Sequence, residues 1–581
     1  MRIRRPLPAL IALSLLIPGC AKSGKPGTSA ASSYNDYKSS LFVDVAKQAG
    51  VNFTADTGIG GKRLYFIEST PAGGGFVDID RDGNLDVILL QPGASSVDQL
   101  TGPRALTGLF RNNGDGTFTD AIKGSGLDKD LGFAHGVAVA DYDNDGYSDI
   151  LVTAYPRNFL FRNLGGSGKF EDVSERVGLA KTHSTGFATS AAFGDIDNDG
   201  RLDLYICYYS PWTPETDKPC KNAQGTRDYC TPEIYDADTH RLFRNTPKGF
   251  VDITKASGIE ANKGRGLAVA FVDYDQDGKQ DIFVANDLSP SFLWHNNGGL
   301  KFTDKAVEAG CAYSENGSLM AGMGIAIADY DRTSRPSMFV TNFAGMPNTL
   351  FKNIGDGFFE NAADTSRIAQ AHMKYLSFGC EFLDYDNDGW QDLMTADGHV
   401  QLSVDTKQSV GVKQAKRLYR NAGNATFAPI ENPEALGPLG EPVISRGLAT
   451  ADINNDGFVD VLATNQNSPA QLFLNRGSAT ANSVSFILRG RKSNADGSHA
   501  QITLTSPSGV KQVDWVKAGS SYLSASDRRV IFGTGDTKSE YSAVIKWPSG
   551  TVDKVSKLKP GALYEILEGS GLKSTTPYKQ Q

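Results

Sequence analysis

Nine residues, DIDRDGNLD from Asp78 to Asp86, place carboxylates at positions one, three, five and nine around a glycine at six. At an effective dielectric of ~20 and a separation of ~5 Å, each carboxylate pair repels by roughly 3 kcal/mol, so Asp78, Asp80, Asp82 and Asp86 need a cation among them. The motif recurs as DYDNDGYSD from Asp141, DIDNDGRLD from Asp195, DYDQDGKQD from Asp273, DYDNDGWQD from Asp384 and DINNDGFVD from Asp452, with DYDRTSRPS from Asp329 a degraded copy. Successive first aspartates are 63, 54, 78, 56, 55 and 68 residues apart, which is a repeat with insertions. Seven units follow.

A second motif alternates with the first: LFRNNGDGTFTD from Leu109, LFRNLGGSGKFED from Leu160, LFRNTPKGFVD from Leu242, LWHNNGGLKFTD from Leu293, LFKNIGDGFFEN from Leu350 and LYRNAGNATF from Leu418. Each reads as strand, Gly/Asn turn, strand. An alternating stretch such as GVAVA (136–140) precedes each acidic loop and an apolar one such as DILVT (149–153) follows, giving four strands per unit. The last unit stops at LFLN (472–475). Its missing strand stands at the other end of the chain, where LFVDVAKQAGV (41–51) matches KFEDVSERVGL (169–179) and GFVDITKASGI (249–259). The expected fold is all-β: a seven-bladed β-propeller with calcium loops, closed by the N-terminal strand, plus a small C-terminal β-rich domain. An open solenoid explains the period but not the split unit.

Oxygens at loop positions one, three and five, a main-chain carbonyl at seven and a carboxylate at nine describe a shortened hard-cation loop, similar to the start of an EF-hand but set on a hairpin. Calcium fits six or more oxygens on a flexible loop better than magnesium does, and the absence of nearby His or Cys ligands disfavours zinc. The expected ligands are Asp78, Asp80, Asp82, Asn84 and Asp86; Asp141, Asp143, Asp145, Tyr147 and Asp149; Asp195, Asp197, Asp199, Arg201 and Asp203; Asp273, Asp275, Asp277, Lys279 and Asp281; Asp384, Asp386, Asp388, Trp390 and Asp392; and Asp452, Asn454, Asp456, Phe458 and Asp460, position seven acting through its carbonyl. Asp and Gly also make ion-free turns, but six in register predict six structural calcium ions. In the degraded copy Arg332 and Arg335 are expected to replace or repel the ion. Six divalent ions would carry the formal net charge from -8 to about +4, so the low pI reflects ion sites rather than an acidic binding face.

Arg2, Arg4 and Arg5 precede an apolar run from Leu7 to Ile17, and Ile17-Pro18-Gly19-Cys20 resembles a bacterial lipobox. This implies export, lipidation of Cys20 and anchoring to the bacterial cell envelope, at the outer membrane or cell surface. The run is too short for a transmembrane helix. Cys220 and Cys230, ten residues apart in an irregular polar segment, are the disulfide candidate in an oxidising compartment, whereas Cys311 and Cys380 read as small buried hydrophobes.

These units resemble FG-GAP/VCBS repeats, the family that includes the seven-bladed head of integrin α chains. In the tail, KSNADGSHA (492–500), GSSYLSASDRRVIFGTGD (519–536) and WPSG (547–550) look like the ASPIC/UnbV module, and together the two resemble the cartilage acidic protein family over nearly all of residues 41–568. GSHA (497–500) departs from the pattern, where a second glycine is expected before the alanine. The resemblance implies a calcium-stabilised extracellular propeller used for recognition. The expected organisation is a signal peptide over 1–20, a flexible tether over 21–40, the propeller over 41–478, the ASPIC/UnbV domain over 479–570 and a disordered tail over 571–581.

Loops joining first and second strands share one face of the ring. The opposite face collects a long insertion at about 208–240, containing YYSPWTPETDKPC, together with His135, His183, Lys263, Arg265, Asp287, His372, Lys374, Asp397, His399 and Arg446. Each alone reads first as a loop or packing residue; together they suggest a partly basic, aromatic-bearing funnel for an anionic sugar or a protein carboxylate. The expected function is a surface-anchored recognition or adhesion module, a monomer that binds an extracellular protein or glycan and meets the membrane through its lipid alone. The alternatives are a calcium-dependent polysaccharide-active enzyme of lyase type, or a lectin. No H-E-x-x-H, G-x-S-x-G or G-x-G-x-x-G occurs, which lowers the enzyme reading without excluding it, since a propeller active site needs no linear motif, and no catalytic residue is assigned. The chain holds no dense Lys/Arg patch for nucleic acid.

Overall fold

Short apolar stretches punctuated by Gly/Asn turns fold into antiparallel strands, and in the computed structural model these build seven sheets of four strands, one of them extended by a fifth short strand, and a two-sheet C-terminal module among the described residues. Those residues are 40–58, 64–93, 106–179, 186–222, 224–402, 404, 409–478 and 482–579. The leader, Cys20, the tether up to residue 39 and His183 lie outside them.

Each blade runs outward in chain order, as in blade two: Phe133–Ala140, the acidic loop, Asp149–Tyr155, Phe159–Asn163 and Phe170–Asp172. The inner strands of blades one to seven are Gly74–Val77, Phe133–Ala140, Ala188–Gly194, Gly266–Val272, Ile325–Ala328, Ser377–Leu383 and Ser445–Ala451. Blade seven takes its outer strand, Phe42–Asp44, from the other end of the chain, with Phe42 opposite Asn475. Apolar residues from adjacent blades share cores at their junctions; Val77, Ile88 and Leu109 of blade one pack with Val137, Ile150 and Phe161 of blade two.

Two rings of side-chain hydrogen bonds tie the blades together. The asparagine that ends each third strand is buried and donates to the carbonyl at loop position two of the preceding blade: Asn163 to Ile79 (2.8 Å), Asn245 to Tyr142 (2.7 Å), Asn296 to Ile196 (2.8 Å), Asn353 to Tyr274 (2.8 Å), Asn421 to Tyr330 (2.9 Å) and Asn475 to Tyr385 (2.8 Å). Asn112 donates to Ile453 (3.1 Å) and so joins blade one to blade seven. In the second ring the side chain at loop position four donates to the carbonyl at position six of the following blade, from Asn144 to Gly200 (2.8 Å) around to Asn455 and Gly83 (3.3 Å). A buried amide left without a partner costs about 1–3 kcal/mol, so each staple favours one spacing between blades.

In the C-terminal module Asn482–Arg489 lies between Val530–Gly535 and Ala562–Leu567, and a second sheet is built on Gln501–Thr505 and Tyr541–Lys546. Both sheets bury Val484, Phe486, Ile502 and Trp547 in one core. Gly571–Pro577 forms an edge strand on Ala562–Leu567, correcting the expectation of a disordered tail over 571–581. Its side chains from Leu572 to Pro577 are exposed, so no burial period marks it in the sequence.

The module is docked through a segment that enters the propeller's centre. Ser524–Ala525 pairs in parallel with the inner strand of blade one. Val137 donates its amide to Leu523 O (3.2 Å), Leu523 donates to Ser190 Oγ (3.1 Å), and Ile325 donates to Ser521 O (3.1 Å). Cys380 donates to Ser521 Oγ (3.2 Å) and Asp527 to Thr450 O (2.9 Å), so six of the seven inner strands are engaged. The approach requires small residues: a Cβ at Gly75 would stand 2.5 Å from Ala525 O.

Candidate metal centres and the opposite face

The acidic loops share one geometry. Position one accepts the amides of positions five and six, as in Asp141 from Asp145 (3.0 Å) and Gly146 (2.7 Å), and position five accepts the amide of position seven, as in Asp145 from Tyr147 (3.0 Å). Positions four and six sit in left-handed conformations, with φ of 57° at Asn144 and 93° at Gly146. Position nine clamps the blade: Asp149 accepts from Tyr142 N (3.1 Å) and Asn163 N (2.7 Å), and Asp86, Asp203, Asp392 and Asp460 repeat the pair. Sequence reasoning assigned this aspartate to the ion alone.

Three or more carboxylates converge within each of several loops. Ligand atoms of Asp78, Asp80 and Asp86, of Asp141, Asp143 and Asp149, of Asp195, Asp197 and Asp199, and of Asp273, Asp275 and Asp277 lie within 4.8 Å of one another. Burial, with neighbouring aspartates adding to it, pushes Asp86 up to about 7, Asp149 and Asp281 up to about 9, and Asp392 and Asp460 well above the carboxylate range. The donor set fits a hard divalent cation: it consists of oxygens, and Asp197 Oδ1, Asp273 Oδ1 and Asp281 Oδ2 are buried without a hydrogen-bond partner.

The arginine of L-F-R-N, unassigned by sequence reasoning, belongs to the site. Arg162 pairs with Asp145 (2.7 Å), Arg244 with Asp197 (2.7 Å), Arg420 with Asp386 (2.9 Å) and Asp388 (2.7 Å), and Arg111 with Asp80. Each sets one positive charge against four carboxylates. Blade seven has Leu474 at this position and also one carboxylate fewer, with Asn454 at loop position three. The degraded blade-five loop keeps the turn, with Ser334 at φ 63° in place of glycine. Arg332 leaves its own loop, donates to Gly389 O (2.6 Å) and stacks 3.6 Å from the Trp390 ring, while Lys352 approaches Asp331 (3.7 Å).

The raised carboxylates dictate a pH response. Without a cation they bind protons in the folded state that the unfolded chain releases near pH 4, so the stability they contribute is present below that pH and lost as pH rises through about 6–9. Asp172 and Glu568, held at about 2 by their hydrogen-bond donors against the opposing effect of burial, weaken the fold only below about pH 4. The chelated chain is therefore expected to melt at least ~5 °C higher at pH 5.5 than at pH 8, and the calcium-loaded chain to lose that dependence; differential scanning calorimetry at the two pH values checks it.

The opposite face does not form the open basic funnel expected from the sequence. Arg446 is fully buried, donates to Ser69 O (2.9 Å), Gly398 O (2.9 Å) and Gln466 Oε1 (2.9 Å), and is pushed down to about 9 by desolvation. His135 is buried against Phe187, His372 bonds Tyr419 and Thr395, and His399 packs on Phe343; burial drives all three imidazoles toward the neutral form. Asp397 is buried beside Thr395 and raised to about 7 by burial. Arg265 donates to Tyr235 O (2.7 Å) and Leu288 O (3.0 Å), and Asp287 accepts from Tyr209 (2.7 Å). The centre is filled by Phe66, Phe187, Tyr209, Trp212, Phe378 and Tyr522, the last brought in by the C-terminal segment and donating to Thr70 O (2.8 Å). Cys220 and Cys230 are disulfide-bonded within the insertion, with Cα atoms 5.1 Å apart.

Two spaces remain. An apolar pocket of about 210 Å³ on this face is lined by Phe66, Met323, Phe343, Met346 and Phe378 with Asp287. A larger cleft of about 630 Å³ lies between the loop face and the C-terminal module and is lined by Asp273, His499, Trp515, Lys517, Lys546 and Trp547.

Fold and loops together define a β-propeller that carries acidic loops on one face and is plugged by its own C-terminal module. A model described as FG-GAP-like repeat matches residues 78–152, 141–206 and 273–340, and one described as ASPIC and UnbV matches residues 490–573. Among curated proteins it is similar to Cartilage acidic protein 1 of Homo sapiens (25% identity over 457 residues, 75% of this chain and 63% of that protein) and of Mus musculus (25% over 471 residues, 77% and 67%). The chain thus spans under two thirds of the human relative's length. Among solved structures it is similar to YCF48 from Cyanidioschyzon merolae, at TM-score 0.38 and 10% identity over 72% of this chain and 97% of that one. No helix among the described residues is long and apolar enough to cross a membrane.

Proposed function

We propose that the chain is an exported calcium-binding recognition module, held at the bacterial cell envelope by a lipid on Cys20. The observation that carries this reading is the recurrence of one loop geometry in six blades, each gathering buried carboxylates whose repulsion a divalent cation relieves. Divalent cations at the six loops, calcium wherever the donors are all oxygen, would stiffen the hairpins between first and second strands and fix the face on which the C-terminal module rests. The FG-GAP-like repeats and the likeness to cartilage acidic proteins support an extracellular recognition role over catalysis.

Partner recognition then falls to the 208–240 insertion and the pocket beside it, which suits an apolar side chain better than an anionic sugar because Arg446 and the histidines are inward. The cleft bearing Trp515, Lys517 and Lys546 favours a second reading, a glycan-binding module. Probing the purified chain against arrays of extracellular proteins and acidic polysaccharides, with calcium or with chelator, separates these. Calcium-dependent binding to proteins without polysaccharide cleavage is expected. Release of unsaturated sugar products would replace the recognition reading with the lyase alternative.

A further inference from the structure

Blade four departs from its siblings at one position. Where blades one, two, three and six carry an arginine over the acidic loop, blade four carries His295, and its loop still holds Asp273, Asp275, Asp277 and Asp281. Lys279 pairs with Asp277 at the rim and leaves the inner carboxylates facing an imidazole. His295 Nδ1 lies 3.4 Å from Asp275 Oδ2 and 3.4 Å from Asp281 Oδ1, and it has no hydrogen-bond partner.

The second observation lies at position nine. Asp281 is fully buried, and its Oδ2 is unpartnered, although the corresponding oxygen of Asp86, Asp149, Asp203, Asp392 and Asp460 accepts the amide of loop position two. Asp273 Oδ1 is likewise buried and unpartnered. Donor atoms of Asp275, Asp281 and His295 all fall within 4.8 Å of one another. Donors about 2.1–2.3 Å from one ion stand roughly 3–4.5 Å apart, so the constellation is the size of a single coordination sphere. Calcium takes oxygen; an imidazole nitrogen favours a first-row transition ion. His295 keeps 21% of its side chain exposed, which leaves an entry path.

We propose that the blade-four loop is a mixed nitrogen and oxygen site for a first-row divalent transition metal, with His295 Nδ1, Asp275 and Asp281 as ligands. The assignment rests on the reading that these loops hold divalent cations, and it removes blade four from the all-oxygen set. Sequence reasoning missed it because His295 stands fourteen residues beyond the loop and only strand pairing brings it over Asp275 and Asp281.

Cobalt(II) is the probe. In millimolar calcium, the wild-type chain is expected to bind one Co²⁺, with visible absorption bands that report a nitrogen ligand. His295→Arg, which installs the residue that four sibling blades tolerate, should weaken that site about 100-fold or more while leaving calcium at the other five loops. Undiminished cobalt binding by H295R, or displacement of cobalt by equimolar calcium, overturns the proposal. Calcium content read in the same samples tests the other reading separately. One His295-dependent cobalt without calcium elsewhere would keep this site and sink the calcium account, and six calcium ions that cobalt does not displace would do the reverse.

Discussion

Chelation of the purified chain is expected to lower its melting temperature by about 10–15 °C. A site held at a hundred times its Kd stabilises the folded state by about 2.7 kcal/mol, so six sites amount to ~16 kcal/mol, and for a 581-residue chain the unfolding entropy converts that into a shift of this order. The mechanism is electrostatic: with the ion removed, loop carboxylates such as Asp149 and Asp281 are left buried among like charges and must take up protons or repel. Readdition of calcium should restore the transition. Magnesium at the same concentration should restore little, because it demands a smaller octahedral shell than these loops provide.

The second large effect is on the opposite face. Arg446→Met is expected to destabilise the chain by about 3–5 kcal/mol, measured by urea unfolding, with no change in metal content. The substitution leaves the carbonyls of Ser69 and Gly398 and the Gln466 amide oxygen without their donor in a closed interior, and it removes the guanidinium that lies 4.1 Å from the Phe378 ring. Arg265, half-buried and bonded to Tyr235 and Leu288, should cost less than ~2 kcal/mol when changed to alanine. Unchanged stability of R446M accompanied by loss of partner binding would return Arg446 to the role of a ligand-facing cation.

What was legible in the sequence is what repeats locally. Position-one aspartates, L-F-x-N strands and the displaced Phe42–Asp44 strand each carry their partner's spacing within one unit, and the sheets follow them. The blade-to-blade staples were present in the same letters, as Asn163 and Asn144, but their role depends on the distance between blades, which no single unit encodes. The channel segment was hidden for a related reason. Its trace is the small residue on successive inner strands, Gly75, Gly136 and Gly447, whose meaning appears only once Ala525, Leu523 and Ser524 are set against them. Histidines and Arg446 misled because residue type reports charge, whereas burial is decided by neighbours as distant in sequence as Ser69 and Tyr522.

Metal content per chain, determined on the soluble protein lacking residues 1–20 after equilibration in calcium with trace first-row metals, tests the central claim most directly. The account predicts six divalent cations, at the loops beginning with Asp78, Asp141, Asp195, Asp273, Asp384 and Asp452, and none at Asp329. One ion or none, with a melting temperature indifferent to chelation, would contradict it and leave the acidic loops as hydrogen-bonded turns.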